Sequence, residues 1–243
     1  WWPSVFAVIR QKGRQMKISA RYKAVLELTE AVFADRQPAD NIINAYFRER
    51  RFIGSGDRRF ISEKIWDIIR RRRRLTFEAG SSDPRRLLLT YLKDENLDEI
   101  FAGGEYGLPL LSTEERELAA RLQAEDKIYP PAVECECPDW LFAKIKDSML
   151  AKALNEPAGA DFRVNRGSRE EALRLLANEG LEAVPTPYSP LGIRLQRRLN
   201  LNNCMAYQDG VIEVQDEASQ LAALLCDCLL YTSPSPRDLS TSR

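Results

Sequence analysis

The stretch Leu154-Asn155-Glu156-Pro157-Ala158-Gly159-Ala160-Asp161-Phe162-Arg163-Val164-Asn165 divides the chain into two textures. From Asp161 to Asn165 polar and apolar side chains alternate, the period of a half-buried strand. Downstream, Ser168 is placed to cap a helix carrying Ala172, Leu173 and Leu176, and Gly180 stands where that helix should stop. Leu181-Glu182-Ala183-Val184 alternates again, and Pro185, Pro187 and Pro190 follow. Gly192-Ile193-Arg194-Leu195 and Gly210-Val211-Ile212-Glu213-Val214 read as two further strands. This order predicts a small α+β sandwich over residues 151–214.

Upstream, the apolar residues fall at helical spacing instead. Val25, Leu28, Val32 and Phe33 share one face of a helix over 19–36. Pro38 suits the first turn of a second helix with Ile42, Ile43, Tyr46 and Phe47 as its apolar positions. Gly54-Ser55-Gly56-Asp57 reads as a break. A third helix then carries Phe60, Ile61, Ile65, Ile68 and Ile69 to about Arg74, so that Arg70-Arg71-Arg72-Arg73-Arg74 would close it. Asp83-Pro84 is a cap and first turn, Ser112-Thr113-Glu114-Glu115 is a capping box, and Pro138-Asp139-Trp140 opens a helix through Leu150. The expectation for residues 16–150 is an all-α domain.

Composition narrows the chemistry. The 243 residues are 44% hydrophobic and 30% charged, enough apolar material for a core. No apolar run approaches the ~20 residues that span a bilayer, and the opening Trp1-Trp2-Pro3 segment has no basic flank of a signal peptide. Five cysteines without disulfide-like spacing favour a reducing cytoplasm. Histidine is absent, which removes the commonest general base and metal ligand. Neither a Gly-rich phosphate loop nor a Cys-x-x-Cys pair is present, and Cys135-x-Cys137 lacks companions for a metal. Cys226 lies on an apolar helix and is expected to be buried.

The zero net charge hides an asymmetry. Residues 48–74 hold eleven Lys/Arg against four Asp/Glu, a net of +7, while residues 94–139 hold three against thirteen, a net of −10. The basic block fits a polyanion-binding face; it equally fits a solvated helix surface balancing the acidic region. At a helix C-terminus, Arg70 to Arg74 would complement the dipole and present guanidinium forks suited to phosphate. Arg58 and Arg59 would extend the same stripe.

Three ordered segments resemble one family. Gly54-Ser55-Gly56-Asp57-Arg58-Arg59-Phe60-Ile61, running into an apolar helix and the arginine cluster, resembles the helical domain shared with the NusB antitermination factor. That domain forms the N-terminal part of Sun/Fmu-type bacterial 16S rRNA cytosine-C5 methyltransferases. Residues 154–165 are similar to the family's Leu-Asn-x-Pro-Ala … Leu-Arg-Val-Asn strand, which opens a small RNA-recognition-like subdomain. Asp209-Gly210-Val211-Ile212-Glu213-Val214-Gln215-Asp216-Glu217-Ala218-Ser219-Gln220 resembles the lead into the methyltransferase domain. Gly159-Ala160 and Arg166-Gly167 depart from the usual residues.

The resemblance implies S-adenosylmethionine (SAM) as cofactor and 16S rRNA or a small-subunit assembly intermediate as partner, with no membrane and no metal. It implies RNA contacts from Arg58, Arg59, Arg70, Arg71, Arg72, Arg73, Arg74, Arg163 and Asn165, and a structural role for Asp57 as helix cap or arginine partner. Residues 215–227 would start the Rossmann-like methyltransferase domain. Its cofactor loop and its Pro-Cys and Thr-Cys motifs would lie beyond Asp227, so that the chain is truncated before them, binds no SAM and transfers no methyl group. Met16 reads as the natural start, with 1–15 an upstream extension. Residues 228–243 resemble a translated sequencing adapter. Two other readings stay open: a stand-alone NusB-like antitermination adaptor, and a structural helical protein whose basic block binds nothing.

Overall fold

A computed structural model describes residues 15–124, 127–196, 201 and 204–226. The expectations for residues 1–14 and 227–243 lie outside the described residues. The chain divides into two units, residues 1–156 and 157–243.

The first unit is helical. Its elements are α1 (Ile18–Ala34), α2 (Ala39–Glu49), α3 (Ser55–Arg70), α4 (Arg72–Ala79), α5 (Pro84–Tyr91), α6 (Leu97–Ile100), α7 (Thr113–Ala124), α8 (Pro131–Glu134), α9 (Asp139–Ile145) and α10 (Ser148–Asn155). Helix α1 packs against α2, α3, α5 and α6, and α4 against α5, α7 and α8. The core they enclose holds Val25, Leu28, Ile61, Ile65, Ile68, Leu87, Leu88, Leu89 and Leu92, all closed to solvent. Burial of each such side chain is favourable by about 2 kcal/mol.

Local chemistry sets several helix ends. The Asp83 carboxylate accepts from Arg86 N at 3.0 Å, and Pro84 begins α5. Ser112 and Glu115 exchange both capping-box bonds, at 2.8 and 3.2 Å. Arg85 then grips Glu115 with Nε at 2.6 Å and Nη2 at 3.1 Å, tying α5 to α7.

Three boundaries differ from the sequence expectations. Gly54 is the N-cap of α3, so Gly56 and Asp57 already lie in its first turn rather than in a break. Asp57 caps nothing; its buried carboxylate pairs with Arg21 Nε at 2.7 Å and accepts from Met16 N at 3.2 Å. The third helix stops at Arg70, not Arg74, and α4 starts at Arg72. The helix after Pro138 is interrupted at Lys146, whose φ of 54° is left-handed, and Asp147 caps a fresh helix by accepting from Met149 N and Leu150 N. Helix α10 therefore belongs to the helical unit.

The second unit runs β1 (Ala160–Val164), α11 (Arg169–Asn178), β2 (Ala183–Pro185), β3 (Gly192–Leu195), α12 (Met205–Gln208), β4 (Ile212–Val214) and α13 (Glu217–Leu225). Its sheet is antiparallel in the order β2-β3-β1-β4. Strand, helix, two strands, helix and strand in that order is the ferredoxin-like arrangement. The register puts Phe162 opposite both Ile193 and Val214, and Val164 opposite Ile212. That face packs against Ala172 and Leu176 of α11 and Ala206 of α12. The other face carries Asp161, Arg163, Arg194 and Glu213.

The cap expected at Ser168 forms, with Glu171 completing a capping box, and Asp216 caps α13 by accepting from Ala218 N and Ser219 N. Gly180 ends α11 with φ of 74°, where a side chain would strain the backbone. Gly192 is needed for space: a Cβ there would collide with Thr186 Oγ1.

Candidate nucleic-acid interface

The arginine run sits at a helix junction, not a helix end. Arg71 has φ −100° and ψ 13°, outside ideal helix, and separates α3 from α4. Such a kink frees a carbonyl on one side and amides on the other. Asn155 Nδ2 donates to the Arg70 carbonyl at 3.1 Å. The Glu136 carboxylate accepts from Arg73 N at 3.0 Å and Arg74 N at 3.2 Å. Glu136 itself has φ of 53°, and burial pushes its carboxyl up from the ordinary glutamate value, against the pull of the Arg74 and Arg73 amides and guanidiniums.

This reverses the electrostatics expected from the sequence. Arg72, Arg73 and Arg74 form the first turn of α4, where the helix dipole disfavours cations, and Glu136 supplies the negative charge that the turn requires. The guanidiniums are largely engaged within the unit. Arg70 lies 3.9 Å from Asp67, Arg73 2.8 Å from Asp139, and Arg74 donates to Glu134 O at 3.1 Å. Arg72 covers the Phe33 ring at 4.1 Å, and Arg71 stands 5.9 Å from the Tyr91 ring. Arg71 and Arg72 remain exposed at the surface.

Arg58 and Arg59 lie elsewhere, in a groove between α2 and α3. Arg58 donates Nε to Ile53 O at 2.8 Å and stands 5.7 Å from the Phe47 ring. Arg59 is exposed.

In the second unit, Arg163 and Asn165 come together. Arg163 donates Nε and Nη2 to Asn165 Oδ1 at 2.9 and 2.8 Å and pairs with Glu213 at 3.0 Å. Beside them Arg194 binds Asp161 through both nitrogens, at 2.6 and 2.8 Å, and holds its carboxyl below the usual carboxylate range. This sheet face thus presents ion pairs. RNA-recognition sheets stack bases on aromatic rings, and none stands at Asp161, Arg163, Arg194 or Glu213.

Sequence reading missed the roles of four positions. Glu136 and Asn155 hold the junction from far along the chain, and no local signal marks them. Arg48, on the helix before Arg58, lines the same groove as Arg58 and Arg59. The Glu217 carboxylate also does more than open a helix. It accepts from Tyr188 N at 2.7 Å and Ser189 N at 2.8 Å, while Gln220 accepts from Ser189 Oγ at 2.7 Å. Together they hold the proline-rich loop against α13.

Among the described residues the cysteines do not gather into one site. Cys135, Cys137 and Cys204 are buried, and burial pushes the Cys204 thiol above its ordinary value. Cys226 is exposed, against the expectation of a buried residue. The reason is that α13 turns Ala222, Ala223, Leu224 and Leu225 to solvent as well, so its last turn has no cover among the described residues. Among these residues no three His, Cys, Asp or Glu side chains gather as metal ligands, and no helix is long and apolar enough to cross a membrane.

Comparison with known proteins gives the class first. Residues 137–202 match the family model "Methyltr_RsmF/B-like, ferredoxin-like domain", so the chain contains an RNA-methyltransferase-related region. The solved crystal structure of PH0851 shares the fold, with a TM-score of 0.53 over 89% of this chain and 57% of that one at 16% identity.

The particular relatives follow. The chain is 34% identical over 107 residues to ribosomal RNA small subunit methyltransferase B of Pseudomonas syringae pv. tomato, covering 41% of this chain and 24% of that protein. It is 31% identical over 96 residues to the protein of the same name from Proteus mirabilis, covering 36% and 23%. The chain therefore spans about a quarter of the length of these curated relatives. The resemblance to Sun/Fmu-type rRNA methyltransferases holds.

Proposed function

We propose that this chain is the RNA-recognition portion of a SAM-dependent small-subunit rRNA (cytosine-5) methyltransferase. Residues 16–156 would form the NusB-like helical RNA-binding domain, its end moved from 150 by α10, residues 157–214 the small subdomain, and residues 215–227 the lead into the catalytic domain. The observation that carries the reading is the ferredoxin-like sheet, three of whose four strands, β1 to β3, lie within the stretch that matches the RsmF/B-like model. Arg59, which makes no ion pair among the described residues, Arg58 beyond its bond to the Ile53 carbonyl, and Arg163 and Asn165 at the end of β1 supply groups for phosphate and base contact.

The glycine-containing loop among the described residues does not fit the cofactor. The glycine-rich loop Gly103-Gly104-Glu105-Tyr106-Gly107 borders an apolar cavity, yet it folds on itself rather than opening a cradle. Gly103 N donates to Leu108 O at 2.9 Å, and a Cβ at Gly107 would strike Gly103 O and Ser19 Oγ. No step of methyl transfer is assigned to these residues.

Two measurements test the reading. The full chain is titrated with a small-subunit rRNA fragment across a salt series, and methyl transfer from labelled SAM to that fragment is followed separately. Salt-steep binding without transfer is expected. Absence of salt-dependent binding would remove the RNA-recognition role. Turnover would show that the methyl-transfer machinery lies within this chain.

A further inference from the structure

We infer that the groove between α2 and α3, rather than the arginine run, is the surface with which the helical unit grips RNA; this rests on the RNA-recognition reading above. The groove has a volume of about 850 Å³ and is walled by Gln37, Asn41, Asn44, Arg48, Arg58 and Arg59. No Asp or Glu among the described residues lines it.

Three guanidiniums therefore share one concavity without a counter-charge. Arg48 and Arg59 are exposed and make no ion pair among the described residues. Arg58 is fixed by the Ile53 carbonyl and the Phe47 ring, which leaves the rest of its fork to face a ligand. Holding one guanidinium in place before binding lowers the entropy lost on contact. In the arginine run, by contrast, Arg70, Arg73 and Arg74 already have acidic or carbonyl partners.

The class of ligand follows from the remaining wall. Phosphate oxygens suit the arginine forks. The side-chain amides of Asn41 and Asn44 are exposed and have no hydrogen-bond partner among the described residues. Each offers both a donor and an acceptor, the pattern that meets a ribose 2′-hydroxyl or the edge of an unpaired base. A protein partner would want an apolar anchor pocket. Here Phe47 is buried in the core, and the groove presents charge and amides instead. The occupant is the backbone of an unpaired RNA segment.

The test uses the full chain, a single-stranded oligoribonucleotide, and polyglutamate as a polyanion that is not RNA. Arg48→Gln with Arg59→Gln should weaken RNA binding at least about tenfold and flatten the slope of log K against log salt by about 1.4, or ~0.7 for each lost single-strand contact. Arg71→Gln with Arg72→Gln should keep both values. Arg48→Lys with Arg59→Lys should keep the slope, which separates loss of charge from loss of fold. Asn41→Ala with Asn44→Ala should weaken binding at unchanged slope.

If the Arg71/Arg72 pair flattens the slope and the Arg48/Arg59 pair does not, the groove assignment falls while RNA recognition stands. Absence of salt-dependent RNA binding by the unaltered chain removes both. Polyglutamate bound as tightly as RNA, with equal sensitivity to the Arg48/Arg59 change, overturns the choice of RNA in favour of an acidic protein.

Discussion

The arginine run of residues 70–74 and the groove arginines Arg48, Arg58 and Arg59 use one side chain for opposite ends. The run is the densest positive charge in the sequence, yet most of it is spent inside the helical unit: Arg70 on Asp67, Arg73 on Asp139, and Arg74 on Glu136 and the Glu134 carbonyl. The groove arginines are scattered over two helices, and Arg48 and Arg59 face solvent with no ion pair among the described residues. Charge density along a chain therefore does not report the charge offered to a ligand. What counts is how much of that charge the fold has already paired.

The comparison breaks most readily at the pairs themselves. The most buried of them is Arg21 with Asp57, whose side chains are only 12% and 6% exposed. Removing one partner of a buried pair strands the other, so Asp57→Ala should cost about 3 kcal/mol in urea unfolding. A loss below about 1 kcal/mol would mean that arginines in this unit do not depend on internal partners.

Glu136→Ala comes next. It leaves the Arg73 and Arg74 amides without acceptors and removes the negative charge at the start of α4. A loss of about 2 kcal/mol is expected, and Glu136→Gln, which keeps an acceptor, should lose less. The pH dependence has a definite sign. Because burial raises the Glu136 carboxyl, the folded protein binds that proton before the unfolded chain does. As pH falls from neutral towards about 4.3, the ordinary glutamate value, wild type should gain on the Gln variant in thermal melts. A gap that stays flat would remove the desolvated carboxylate from the account.

A smaller effect is expected at the sheet. Arg194 is 43% exposed on its side chain, so water screens its pair with Asp161 and Asp161→Asn should cost about 1 kcal/mol near neutral pH. The Asp161 carboxyl is depressed, chiefly by its hydrogen bond from Arg194. Its contribution is complete above the unfolded aspartate value of about 4 and fades as pH drops through the lower folded one. Acid titration of wild type and variant should therefore converge at low pH. Smallest of all, Arg59→Ala should shift stability by no more than about 0.5 kcal/mol, because its side chain makes no ion pair to lose. A larger shift would place Arg59 with the fasteners and weaken the contrast.

How much was legible in the sequence follows the reach of each interaction. The caps at Asp83, Ser112, Ser168 and Asp216 were readable because cap and amide lie within three residues of each other. The strand pattern of 161–165 was readable because alternation is local. The ion pair of Asp57 was anticipated in kind, but its partner Arg21, 36 residues away, was not. The break at Arg71 was invisible, since five arginines have good helix propensity and nothing nearby forbids a continuous helix. Asn155 and Glu136 hold that break from 85 and 63 residues away. The exposure of Cys226 escaped notice for a related reason: an apolar helix implies a buried face, but the sequence does not say where along it the cover stops.

By itself the sequence determined the order of the longer helices and of the strands, several of the caps, the two textures that meet near Asn155, and the likeness to rRNA methyltransferases. These depend on hydrogen bonds within a turn and on periodicity, both written into neighbouring residues. Only the tertiary structure decided which arginines are free. Pairing depends on carboxylates brought from distant segments, and a buried carboxylate such as Glu136 will bind whichever amides and guanidiniums the packing of α4 against α8 sets before it.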